Sequence, residues 1–339
     1  MPAKREASEV PHDTARAESP AFRPGSASND GQMLRCLAAG SSALRPVLAA
    51  LARPAECLGV SRGALYLKTA GSPGTLALLA HDAVRLPCGL MLTTTSAELP
   101  LTSVAHPSAR FVVGDGAVSW TGPAGPVVVR AVREWAPARP ARGEVSASAV
   151  AAVRRMVSGA VVSGAVLSEA VLSEAGSRGA DPGALSPQLP DLGAAAADRA
   201  TAEVVAARLL GAGPGLTPGG DDVLAGFLAG AAAFGIEATA LHEAASVLAP
   251  ARTTALSAAL LWHAARGECI DELAGVAAVL TSQRWRGPEQ ARSAVSRLLR
   301  VGHTSGAALA LGLVAAAESA LHAQAVLAET GRAETGRAA

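Results

Sequence analysis

Residues 211–230 read GAGPGLTPGGDDVLAGFLAG. Five glycines, two prolines and a threonine stand before the adjacent Asp221 and Asp222, and a run of small and apolar residues follows. Loop formers give way abruptly to helix formers, which predicts a helix from 222 to about 240. Working outward, the same helical pattern occupies 194–210, 243–266, 271–283, 288–300 and 305–327. Residues 194–327 therefore form a helical domain of five or six helices carrying the Gly-rich loop.

Upstream the pattern changes. From Cys57 to Trp135 the runs ALYLKT, GTLALLA, GLMLTTT, ARFVVGDGAVSW and PVVVRAVREW are short, rich in β-formers and punctuated by Gly, Pro and Asp. Gly114-Asp115-Gly116 sits between FVV and AVSW and reads as a hairpin turn. Pro87 separates two of the strand-like runs, and a short helix is expected between Met33 and Leu51. The fold class is thus α+β: a β-rich N-terminal domain over 31–145, with five or six strands, followed by an all-helical C-terminal domain. Between them, 146–193 holds a helix, a five-residue repeat (SGAVV-SGAVL-SEAVL-SEAGS) and a Pro- and Gly-rich flexible loop. Five matches neither the helix nor the strand period, and the unit is far shorter than a solenoid repeat. Residues 1–30, rich in Pro, Ser, Ala and charge, read as a disordered tail, and 328–339 as a second one.

Composition excludes several classes. A net charge of +1 lacks the basic footprint of a nucleic-acid binder. Cys36, Cys57, Cys88 and Cys269 are widely spaced, as expected of reduced thiols. The first twenty residues contain no apolar signal-peptide core, and the uncharged stretch 301–317 is shorter than a membrane span. A cytoplasmic protein without membrane contact is expected.

The glycine loop invites a nucleotide-binding label, but its spacing denies one. Gly211-Ala-Gly213-Pro-Gly215-Leu216 has Leu where a dinucleotide fingerprint needs its third glycine, and a helix rather than a strand leads in. The loop ends in Gly219-Gly220-Asp221-Asp222, not in the Gly-Lys-Ser/Thr of a phosphate-binding P-loop. Physically, Gly213, Gly215, Gly219 and Gly220 allow backbone N–H groups to converge on a ligand, and the helix N-terminus favours an anion. Thr217 caps that helix or donates a hydroxyl. One aspartate caps the helix; the roles open to the other are holding Mg²⁺, orienting an amide NH₂, or acting as a base. No other cofactor is implied. The plainer alternative is a helix–turn–helix corner with Gly, Pro and Asp in their ordinary capping places.

Gly302-His303-Thr304-Ser305-Gly306 matches Gly215-Leu216-Thr217-Pro218-Gly219 at Gly, Thr and Gly, and it too leads into an apolar helix. Two such loops facing each other across a bundle would enclose a small anionic ligand. Between them Arg252, Thr254 and Ser257 offer a guanidinium and two hydroxyls, or else a surface arginine and ordinary caps.

The three blocks GAGPGLTPGGDDVLAGFLAG, TTALSAALLWHAARGE and GHTSGAALALGL resemble, in order and spacing, the signature blocks of the AllH family, whose fingerprint is GLGPGLTPSGDDxLAG. The likeness extends loosely from Cys57 to Leu327, apart from the stretch between about 159 and 192. It implies a subunit of oxamate carbamoyltransferase, which converts oxalurate and phosphate to oxamate and carbamoyl phosphate in allantoin and purine catabolism. It also implies an FdrA-like partner and a third subunit, with a carbamate kinase downstream. Asp221 and Asp222 would be catalytic, and Gly213, Gly215, Thr217, Gly219, Gly220, Arg252, Thr254, Ser257, His303, Thr304, Ser305 and Gly306 would bind the small anion. Two departures stand out: Gly219 replaces the family's frequent Ser, and Ala307-Ala308 stand where an acidic residue often follows. A non-catalytic anion-binding or regulatory protein and a structural subunit are the alternative readings.

Overall fold

The computed structural model describes residues 33–162 and 189–337. The expected N-terminal tail and most of the five-residue repeat lie outside the described residues.

The β-rich part is a closed eight-stranded barrel in the order β1-β5-β4-β3-β2-β6-β7-β8. Its strands are β1 (Leu34–Ser41), β2 (Arg53–Val60), β3 (Ala64–Lys68), β4 (Thr75–Leu79), β5 (Gly89–Leu92), β6 (Phe111–Gly114), β7 (Ala117–Gly122) and β8 (Gly125–Trp135). Parallel pairing of β8 with β1 closes the barrel, and β4 and β5 are also parallel. Asp115 and Gly116 form the expected two-residue hairpin, both with positive φ. Five or six strands were too few: LRCLAAGS forms β1 rather than the expected helix, and Arg53–Val60 adds β2. The composition of LRCLAAGS suits either state, and pairing along the whole of β8 decides for strand. Helix survives in that region only as α1 (Arg45–Ala49); α2 (Leu101–Val104) is a single turn.

The helical part contains α3 (Ala147–Val162), α4 (Leu189–Ala195), α5 (Arg199–Leu209), α6 (Gly219–Phe234), α7 (Thr239–Arg252), α8 (Ala255–Ala264), α9 (Asp271–Leu280), α10 (Pro288–Leu298) and α11 (Ser305–Arg337). Two helices read as single are broken. Asp198 caps α5 by accepting from Thr201 N at 2.7 Å, which ends α4 before it. Thr254 caps α8 by accepting from Ser257 N at 3.0 Å, and the extended Thr253 turns the chain. Conversely, α11 runs on to Arg337 instead of ending at a tail from 328, because Ala, Glu and Arg are strong helix formers.

The centre of the bundle is α6, buried along nearly its whole length, packed against α11. By length and apolarity Ser305–Glu329 would suffice to cross a bilayer, more than the sequence suggested, but 61% of that window is buried inside the fold. The barrel has its own core of Leu65, Leu67, Leu76, Leu78, Leu90 and Phe111, which Leu256 of α8 enters from the bundle. Thr75 Oγ1 donates to Ala255 O at 2.9 Å across the same seam. Barrel and bundle therefore meet at the start of α8.

Candidate functional site

The two aspartates of α6 face different surroundings. Asp221 Oδ1 accepts from Gly211 N at 2.9 Å, and its Oδ2 accepts from the Thr253 hydroxyl, with Ser257 also donating. Its carboxyl thus ties the Gly-rich turn and the α7–α8 turn to the helix. Burial raises its pKa, while these three bonds favour the charged form. Asp222 is 5% exposed, and its Oδ2 has no hydrogen-bond partner. Burial pushes the Asp222 carboxyl well above the usual carboxylate range. A hydrogen bond from Ser305 opposes this, and the charge of Asp221 adds to it.

Asp222 lines a cavity of about 270 Å³ between barrel and bundle. Thr217 and Ser305 stand beside it, their hydroxyl oxygens 3.1 Å apart, so the two Gly/Thr/Ser loops do meet. Leu256, Leu260, Leu273 and Leu309 form apolar walls, and the barrel contributes Tyr66 of β3 together with the turn around Pro87. Glu268 and Cys269 lie on the wall as well. Among the described residues no Lys or Arg lines it. Burial raises the Cys269 thiol to about 12, which makes it a neutral wall rather than a nucleophile. All four cysteines are free.

The cradle of backbone amides expected from the glycines takes another form. Gly220 N donates to Ala212 O at 2.9 Å, Asp221 N and Asp222 N donate to Pro218 O, and Gly306 N donates to Val301 O at 3.0 Å. These groups are held by the chain's own turns. Gly220 and Gly306 serve close backbone packing instead: a Cβ there would meet Leu209 O at 2.1 Å and Leu298 O at 1.9 Å. Gly219 is buried at the first turn of α6, while Gly213 and Gly215 have positive φ and shape the loop outside the cavity wall.

Other expected ligands are also displaced. Arg252 is exposed and donates Nη1 to Ala207 O at 3.0 Å, satisfying a carbonyl in the last turn of α5. His303 is exposed, and Thr304 starts α11, where its carbonyl accepts from Ala308 N at 3.2 Å. Thr254 donates to Leu216 O at 2.6 Å while capping α8, and the buried Ser257 lies 3.4 Å from the same carbonyl. Thr254 thus braces the Gly-rich loop from behind. Ala307 and Ala308 are fully buried, so no side chain at these positions reaches the cavity. Among the described residues no cluster of three or more His, Cys, Asp or Glu side chains could hold a metal ion.

Glu268 was not foreseen. Its Oε2 accepts from His263 Nδ1 at 2.7 Å, and its Oε1 pairs with Arg139 Nη2 at 2.6 Å. His263 is fully buried, with Nε2 unpartnered. The sequence signal is Gly267, whose φ of 72° turns the chain after α8 and brings Glu268 back onto His263. The hydrogen bond from His263 chiefly holds the Glu268 carboxyl below the usual range; burial opposes it and Arg139 assists. A depressed folded value means the pair stabilises the fold above the unfolded value of about 4.5 and loses this as pH falls through the folded value. Glu268→Gln should therefore lower the melting temperature at pH 7. The gap to the wild type should close on acidification below about pH 4.5; a gap independent of pH would refute the pairing.

Fold and site together define an α+β protein with a cavity at the barrel–bundle seam and a buried carboxyl on its wall. Residues 209–317 match the family model for oxamate carbamoyltransferase subunit AllH. The matched segment carries both loops, Asp222 and α8, while the barrel lies outside it. No curated protein and no solved structure matches the chain.

Proposed function

We propose that the chain is an AllH-type subunit of a cytoplasmic oxamate carbamoyltransferase, working with an FdrA-like and a third subunit on oxalurate and phosphate. The observation that carries this reading is Asp222: a buried carboxyl with a free oxygen, on a cavity wall built by the family-matched segment. In the reaction a phosphate oxygen bonds to the carbamoyl carbon of oxalurate. The bond from that carbon to the oxamate nitrogen breaks, and that nitrogen takes a proton. A carboxyl held up toward its neutral form suits delivery of this proton. The cavity has no cation to hold phosphate, so in this reading the partner subunits supply those contacts. Asp221, expected to be catalytic, instead positions the α6 start through Gly211 and Thr253.

The test is oxalurate-dependent carbamoyl phosphate formation by the co-purified complex. Asp222→Asn should lower kcat by about 100-fold or more while the complex stays assembled. An assembled complex with no transfer activity, or full activity in Asp222→Asn, overturns the proposal and favours a non-catalytic binding subunit.

A further inference from the structure

We infer that the barrel–bundle cavity is a binding site for an uncharged carboxamide or ureido group, with the Asp222 carboxyl as its hydrogen-bonding partner. The inference rests on the carbamoyl reading above only for which amide the cell supplies; the site itself is argued from geometry.

Asp222 Oδ2 is a buried polar atom without a partner, and leaving such an atom unpaired is costly enough that native folds rarely do so without a ligand or water. Asp222 lines the cavity together with Thr217 and Ser305, which bring two hydroxyls to its wall. The remaining wall is mostly apolar, closed by Leu256 and Leu260 from the bundle and by Tyr66 from the barrel. A ligand here must therefore offer one compact polar group and little charge.

Phosphate and carboxylate fail on charge. Each would set negative charge beside the Asp222 and Glu268 carboxyls, and among the described residues no Lys or Arg lines the wall to offset it. An ammonium group would find the Glu268 carboxylate already paired with His263 and Arg139. A carboxamide meets the remaining demand. Its N–H donates to a carboxyl oxygen, its C=O accepts from a carboxyl O–H or from the Thr217 hydroxyl turned from Ser305 toward it, and it carries no charge. A volume of about 270 Å³ suits a small metabolite. Because β3 and the turn before β5 complete the wall, the barrel takes part in recognition although the family match does not reach it.

The test uses isosteric probes on the full-length chain. Saturation-transfer NMR is recorded with acetamide and N-methylurea, and separately with acetate and inorganic phosphate. The two amides should bind and the two anions should not. Asp222→Ala should weaken the amides by about tenfold with the melting transition retained. Ala83→Trp, which places bulk on the barrel side of the cavity, should abolish their signal and keeps the test decisive if Asp222→Ala does not fold. Binding of acetate or phosphate that these substitutions remove overturns the inference, as does amide binding that both leave unchanged. Carbamoyl transfer is read separately on the complex. An active complex whose chain shows no Asp222-dependent amide binding sinks the site assignment alone; an amide-binding chain in an inactive complex sinks the transferase reading alone.

Discussion

Gly312→Ala should destabilise the protein by about 3 kcal/mol, and Gly226→Ala by a similar amount. The helices α6 and α11 cross with their backbones in contact. A Cβ on Gly312 would lie 2.0 Å from Val223 O and 2.7 Å from Phe227 N, and one on Gly226 would lie 2.1 Å from Leu309 O. Both obstacles are backbone atoms, so no rotamer change relieves them. Nor can the helices part freely, since Val223, Phe227, Leu313 and Ala316 around the crossing are fully buried. A displacement would also reach the site, because α6 carries Asp222 in its first turn and α11 begins at Ser305, whose hydroxyl is 3.1 Å from that of Thr217. Urea unfolding of each variant measures the loss. A value below about 1 kcal/mol would show that the crossing yields more easily than close-packed backbones should.

The neighbouring aspartates should respond in opposite directions. Asp221→Ala removes the acceptor of Gly211 N–H and of the Thr253 and Ser257 hydroxyls, which should destabilise by about 2–3 kcal/mol. Asp222→Asn removes an ionisable group from a place with no counter-charge and should stabilise the ligand-free chain at pH 7 by about 1–3 kcal/mol. The pH dependence identifies the cause. The folded pKa of Asp222 lies above its unfolded value of about 3.8, so the native fold binds the proton more tightly than the unfolded chain does. The penalty is absent below the unfolded value, grows as pH rises toward the folded value, and is constant above it. The advantage of Asp222→Asn should therefore shrink toward zero as pH falls to about 4. Melting curves of both variants from pH 4 to 8 provide the check. Destabilisation by Asp222→Asn at pH 7 would show that Asp222 holds the fold together and is not a group kept for a ligand.

Stability and function would then be set against each other at a single residue. The chain tolerates a buried, under-bonded carboxyl at Asp222 while its neighbour Asp221 is fully engaged. Sequence alone offers a capping and a ligand-facing role without assigning either aspartate to one. Adjacent residues on a helix point about 100° apart, so one faces the α7–α8 turn and the other faces the cavity.

Only local features follow from the residues alone. Residues 211–218 had to be a loop before a helix, because Gly and Pro disfavour helix interiors, but the helix starts at Gly219 with Pro218 at its cap, three residues earlier than expected and without the expected Asp or Thr217 cap. Asp115-Gly116 had to turn a hairpin, and the division into a β-rich part and a helical part followed from hydrophobic period. The kinship of 209–317 was carried by motif spacing alone. The remaining features depend on partners distant in the chain. Leu34–Ser41 is a strand because β8 lies beside it, and the barrel closes because that pairing is available. Arg252 and His303 stay outside the cavity, Tyr66 lines it from some 150 residues upstream of Asp222, and Glu268 is folded onto His263 by one left-handed glycine. Propensity and capping act over a few residues, but burial and the pairing of polar atoms depend on everything packed around them.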